Sequence, residues 1–170
     1  MDTTAGARAE LTDADVRWLD ADEQLSWRGF ISGVTALHDE LERELLGAHD
    51  ISMDDYAILV LLSEAPDRAL RMSAIADATL VPRPQVTYRV TRLEKAGVVA
   101  RRPAPDDARG KQACLTDAGF ALLQRAARTH VTNVRQLFLD HVTADEFAVL
   151  GSAMARVHAA IAQGADPLRA

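Results

Sequence analysis

The sequence predicts a mainly α-helical fold that carries one small antiparallel β wing. Three observations support this. Hydrophobic residues make up 48 % of the 170 positions while aromatics make up only 5 %, a balance that suits packed helices better than a β sandwich. Apolar residues recur at three- and four-residue spacing along most of the chain, which is the helical period. Two short strand-like runs, Val98 to Arg102 and Lys111 to Leu115, interrupt that pattern and are joined by the polar stretch 103–110.

Residues 1–19 form an N-terminal extension in which Val16, Trp18 and Leu19 could pack on a neighbour. Asp20 with Glu23 three residues later reads as a helix cap with an acid at N3. Trp27, Phe30, Val34, Leu37, Leu41 and Leu45 then stripe a long amphipathic helix that Gly47 is expected to end. Ser52 to Asp55 opens the next helix with a cap and an acidic first turn. Tyr56, Leu59, Val60 and Leu62 supply its buried side, and Pro66 closes the segment.

Met72 to Leu80 is a short helical pattern containing the small apolar residues Ala74, Ile75 and Ala78. Pro82 keeps Val81 out of the helical region, and Pro84 suits the first turn of a new helix, where a missing N–H costs nothing. That second helix, Gln85 to Ala96, buries a narrow stripe of Val86, Val90 and Leu93, and Gly97 sits where a left-handed cap belongs. Two helices joined by so short a turn cross steeply. With the two-stranded ribbon behind them, they make a winged helix-turn-helix.

Beyond the ribbon, Thr116-Asp117 caps a long helix striped by Leu123, Ala127, Val131, Val134 and Phe138. Thr143 to Glu146 is a capping box that starts the last helix, striped by Phe147, Leu150, Met154, Val157 and Ile161. The expected organisation is therefore a winged region at 51–115, long helices at 20–50 and 116–163, and a tail at 164–170. The long helices carry more apolar face than so small a centre can cover. A second copy of the chain would cover it, and two-fold dimers are the commonest closed assembly.

Charge assigns a partner to the centre. The chain has 19 Lys and Arg against 25 Asp and Glu, a net of −6. Between Arg83 and Lys111 it carries eight basic residues and three acids, which leaves that stretch at +5 and the remainder at −11. A basic patch on an acidic body is the footprint of a surface that meets phosphate. Gln85, Arg89 and Arg92 are of the types that bond base edges bidentately. Arg83, Thr87, Tyr88, Lys95, Arg109 and Lys111 suit phosphate or groove contacts. The expected partner is double-stranded DNA.

The run Arg89-Val90-Thr91-Arg92-Leu93-Glu94-Lys95-Ala96-Gly97-Val98-Val99, then Arg101-Arg102, then Asp107-Ala108-Arg109-Gly110, then Leu115-Thr116-Asp117-Ala118-Gly119, resembles the multiple-antibiotic-resistance regulator (MarR) family. The element order matches over roughly 23–162. The resemblance implies a homodimeric transcription regulator on an inverted-repeat operator, expected to be a ligand-relieved repressor. Its second helix would lie in the major groove and Arg109 would reach the minor groove. It also implies a site for a small aromatic or phenolic anion between the dimer helices and the DNA-reading region, where Trp27, Arg28, Phe30 and Tyr56 are the candidates. Pro82 and Pro84 flank Arg83 where many relatives carry small polar residues, and Ala57 follows Tyr56 where the urate-responsive branch has Asp.

Other classes find little support. The chain has no nucleophile elbow, P-loop, dinucleotide fingerprint or metal-hydrolase motif, so neither enzyme activity nor a cofactor is expected. No apolar run is long enough to span a bilayer, and the N-terminus lacks a secretory pattern, so a cytoplasmic protein with no membrane partner is expected. A lone cysteine, Cys114, excludes an internal disulfide. The alternatives are a winged module for protein contact, or a regulator sensing oxidation at Cys114 or a metal at His38 with Glu42. A redox sensor would want a resolving thiol, and a metal site a recognisable ligand spacing.

Overall fold

The structure is a computed structural model that describes residues 12–79, 81–104 and 107–163, the side chains of 107–110 excepted. The sequence expectations for 1–11, Leu80, 105–106 and the tail 164–170 lie outside the described residues. The chain divides into two compact units, Met1–Ala36 and Leu37–Ala170.

In the first unit, a short turn at Asp13–Asp15 precedes the start of α1, Ala21–His49. Asp20 and Glu23 form the anticipated reciprocal cap: the Glu23 N–H donates to Asp20 Oδ1 at 2.8 Å, and the Asp20 N–H to Glu23 Oε2 at 3.0 Å. Trp18, Leu25, Trp27 and Val34 are exposed here.

The second unit holds the remainder of α1. Leu41 and Leu45 are buried, but Gly47 does not end the helix. α1 continues to His49, and the left-handed residue is Asp50, at φ 56°, whose N–H donates to the Leu46 carbonyl. An interior glycine weakens a helix by about 1 kcal/mol but does not stop it. The chain turns where buried Ile51 pulls it into the core, and Asp tolerates the left-handed region better than most residues.

α2 (Met53–Glu64) begins at a full capping box between Ser52 and Asp55 and buries Ile58, Leu59 and Leu62. A turn at Pro66–Arg68 leads into β1, Ala69–Arg71, a strand the sequence did not suggest. α3 (Met72–Thr79) buries Ile75 and Ala76; Ala78 faces outward. α4 (Arg83–Lys95) buries Val86, Val90 and Leu93 as anticipated. At its end Gly97 has φ +74°, its N–H donates to Glu94 O, and the Val98 N–H donates to Leu93 O. This pair of bonds is the Schellman cap.

β2 (Val99–Ala104) and β3 (Asp107–Leu115) are longer than the apolar runs implied, because pairing continues into the polar stretch between them. The sheet order is β1-β3-β2, all antiparallel, with Ala69 and Ala100 opposite Cys114. Being in the middle strand buries Cys114 to 5 % exposure.

α5 (Asp117–Leu137) is capped by Thr116, whose Oγ1 accepts from the Gly119 N–H at 3.0 Å. Its packed stripe runs through Gly119, Leu123, Ala126 and the partly buried His130. Of the expected stripe, Leu123 is buried, Ala127, Val134 and Phe138 are partly buried, and Val131 is half exposed. α6 (Ala144–Ala162) starts at the Thr143–Glu146 box. None of its residues is buried, and Phe147, Met154, Val157 and Ile161 are 40–63 % exposed. Among the described residues, no helix is long and apolar enough to cross a membrane.

Candidate nucleic-acid interface

Helical geometry sorts the side chains of α4 before any contact is considered. At about 100° per residue, Pro84, Tyr88, Thr91 and Lys95 lie opposite the Val86–Val90–Leu93 stripe. Gln85 and Arg92 stand on one shoulder of that outer face. Arg89 is only about 60° from the stripe, close to the seam with α2. Arg83, Gln85, Thr87, Tyr88 and Lys95 are all exposed, Tyr88 at 72 %. In the wing Arg102 and Lys111 are exposed as well. The side chain of Arg109 lies outside the described residues.

Arg89 and Arg92 do not stand outward as the sequence suggested. Arg89 is a quarter exposed; it pairs with Asp54, donates to Ser52 Oγ at 3.0 Å, and brings Nη1 to 3.9 Å from Asp55 Oδ1. Arg92 pairs with the other Asp55 oxygen, Oδ2. Asp55 is fully buried, and its Oδ2 also accepts from the Ser52 N–H at 2.9 Å and the Ser52 hydroxyl at 2.7 Å. The acids at the start of α2 therefore also hold α4 in place. Arg101 does the same for the wing. Its guanidinium donates to Thr87 O at 3.0 Å and Thr91 Oγ1 at 2.6 Å and lies 3.5 Å from Glu94. In the sequence Arg101 stood out as patch charge and as part of the family-like run, not as a brace; no local pattern marks that role.

The ligand candidates are distributed differently from the expectation. Tyr56 lines a cavity of about 420 Å³ whose walls include Ile58, Leu61, Val81, Arg89 and His130. Its ring lies 4.7 Å from the His130 ring, tilted by 41°. Burial pushes the Tyr56 phenol up and the His130 imidazole down. His130 Nδ1 is buried with no hydrogen-bond partner among the described residues. Trp27 and Phe30, 6.0 Å apart, instead line a groove of the first unit with Leu19, Glu23 and Ser26, and Arg28 donates to Gln24 at 3.2 Å along its own helix. Arg89 and His130 were missed as cavity residues. Arg89's place beside the apolar stripe was the available signal for it. His38 is exposed and lies 3.9 Å from Asp39.

Comparison with known proteins gives a consistent result. The family model described as MarR family matches residues 49–110. The HTH-type transcriptional regulator PecS of Dickeya dadantii (strain 3937) is 33 % identical over 132 residues, covering 76 % of this chain and 75 % of PecS. The crystal structure of Sco3205, a MarR family transcriptional regulator from Streptomyces coelicolor solved in complex with DNA, is 41 % identical. It superposes with a TM-score of 0.82 over 89 % of this chain and 92 % of that one. AbsC, a MarR family transcriptional regulator from the same organism, is 33 % identical with a TM-score of 0.81, over 86 % and 98 % of the two chains.

Proposed function

The chain belongs to the MarR family, and on that premise we propose that it is a DNA-binding transcriptional regulator that acts as a homodimer. One observation carries the reading. The outer face of α4, with Gln85, Tyr88 and Lys95, stands exposed opposite a fully packed stripe, on a scaffold shared with a 41 % identical regulator solved on DNA. Arg83, Lys95, Arg102 and Lys111 supply phosphate contacts, and Arg109 the minor-groove contact. The exposed stripe of α6 favours a second copy as its cover. Two reading helices related by a two-fold then meet the major groove about one turn, ~34 Å, apart and select an inverted repeat. The protein works in the cytoplasm, beside the duplex it reads, by binding and not by catalysis.

We further propose that a small aromatic or phenolic anion relieves repression from the Tyr56 cavity. Its apolar walls suit a ring, and Arg89 stands at its edge paired with Asp54, so an anion there competes with that carboxylate for the guanidinium. Such a ligand acts by favouring the conformer that does not bind DNA.

The test is an anisotropy titration of the purified protein on labelled duplex across a salt series. Four basic side chains per protomer, eight per dimer, give a slope of log K on log salt of about −7. Lys111→Ala reduces that slope by about two per dimer, and Arg109→Ala weakens binding. A protein that stays monomeric and binds duplex no more tightly at low salt than at high salt would refute the reading.

A further inference from the structure

Arginine is the usual reader of guanine, through a bidentate contact with O6 and N7. The reading helix has two arginines in its middle turns, and each is already paired with a carboxylate at the start of α2. For Arg89 to reach a base it must leave Asp54 and Ser52 Oγ. For Arg92 to do so it must leave Asp55, a carboxylate with no exposure to water that would then be buried with its charge poorly matched. Base reading therefore falls to side chains of the outer face that carry base-edge chemistry and no such tie. Arg83 and Lys95, at the two ends of the helix, and Gln85 and Tyr88 between them fit that description: all four are exposed, and none makes a side-chain hydrogen bond or ion pair among the described residues.

The positions of Gln85 and Tyr88 suit the task. Both lie in the first turns of α4, the part of a reading helix that meets base edges. They stand three residues apart, so their Cβ atoms are neighbours at about 5–6 Å, a span close to one or two base-pair steps of ~3.4 Å. Gln matches the N6 donor and N7 acceptor of adenine, and an aromatic ring packs on the thymine methyl. Arg83 beside them and Lys95 at the far end of the helix are left for phosphate. We propose that Gln85 and Tyr88 set the base preference of the reading helix, with Gln85 selecting an adenine and Tyr88 a neighbouring thymine in each half-site. This rests on the DNA-regulator reading above and adds the specificity it lacks.

The experiment is binding-site selection by the full chain from a randomised duplex library spanning two helical turns, ~20 base pairs. The wild type should recover half-sites with a fixed A·T pair beside a thymine. Gln85→Ala should flatten the adenine position, at a cost of roughly five- to hundredfold for each half-site. Replacing the thymine by uracil, which removes one methyl, should weaken the wild type and Tyr88→Phe by about fourfold and leave Tyr88→Ala unaffected. Arg89→Lys, chosen to keep the charge, should leave the base preference intact. Circular dichroism melts check that each variant remains folded, Arg89→Lys in particular because its side chain is three-quarters buried. Recovery of the same site by Gln85→Ala and Tyr88→Ala overturns this inference alone, as does a guanine preference that Arg89→Lys abolishes. Failure of the wild type to enrich any sequence overturns the regulator reading, and this inference with it.

Discussion

Replacing Asp55 by alanine tests the idea that the start of α2 holds the reading helix. The carboxylate has no exposure, completes the capping box with Ser52, and lies between the guanidiniums of Arg89 and Arg92. Loss of the box removes about 1 kcal/mol, the usual worth of a helix cap. Removing one partner of a fully buried ion pair costs about 3–5 kcal/mol. Here the arginine side chains keep 25 % and 44 % of their exposure, so water screens the orphaned cations and about half of that figure applies. The expected loss is about 3 kcal/mol, and at 2–4 °C per kcal/mol for a domain of this size the melting temperature falls by roughly 6–12 °C. The assay is thermal unfolding at one fixed protein concentration, since dimerisation shifts the midpoint by mass action. Asp55→Asn keeps an acceptor for the Ser52 bonds and loses the charge, so it should fall between the wild type and Asp55→Ala. A cycle with Arg92→Ala should return a coupling of about 1 kcal/mol or more. An Asp55→Ala protein that melts within about 2 °C of the wild type would refute the reasoning.

Three further perturbations have equally definite signs. Gly119 occupies the first turn of α5, where alanine would ordinarily help by up to about 1 kcal/mol. A Cβ there would stand 2.0 Å from the Val98 carbonyl oxygen and 2.7 Å from Leu115 Cδ1. Gly119→Ala should therefore destabilise by about 1–3 kcal/mol, measured by urea unfolding. Gly97→Ala meets no atom within 4 Å but must hold φ +74°, and should cost about 1–2 kcal/mol for that reason alone. Burial lowers the His130 pKa below its unfolded value of about 6.5. The unfolded chain then binds a proton that the folded chain refuses. His130 thus contributes a loss of stability that develops as pH falls through about 6.5 toward the lower folded value and levels off beneath it. His130→Leu should flatten that part of the melting-temperature profile, and an unchanged profile would show that the ring is not held neutral.

What could be read from the sequence depended on range. The caps at Asp20, Ser52, Thr116 and Thr143, the left-handed Gly97 and the Val86–Val90–Leu93 stripe were all legible, because each is satisfied within a turn or two of its own residues. Gly47 misled because a glycine permits a helix end without requiring one. The end came at Asp50, next to buried Ile51. β1 was invisible because three residues carry no periodicity, and its strand character comes from pairing with β3 more than forty positions away. The same distant pairing buried Cys114, which alternation along its own strand had left open. The apolar stripe of α5 was legible, but the place of His130 beside Tyr56 was not, because no apolar spacing marks a histidine for packing.

The sequence by itself determined the order of the helices and the two wing strands, the helix starts and the side of α4 that packs, since these follow from backbone hydrogen bonds and apolar spacing within a single segment. Tertiary structure alone decided which basic residues remain available to a duplex. Arg89, Arg92 and Arg101 carry the same charge in any conformation, and only the folded chain brings Asp54, Asp55 and Glu94 close enough to hold them.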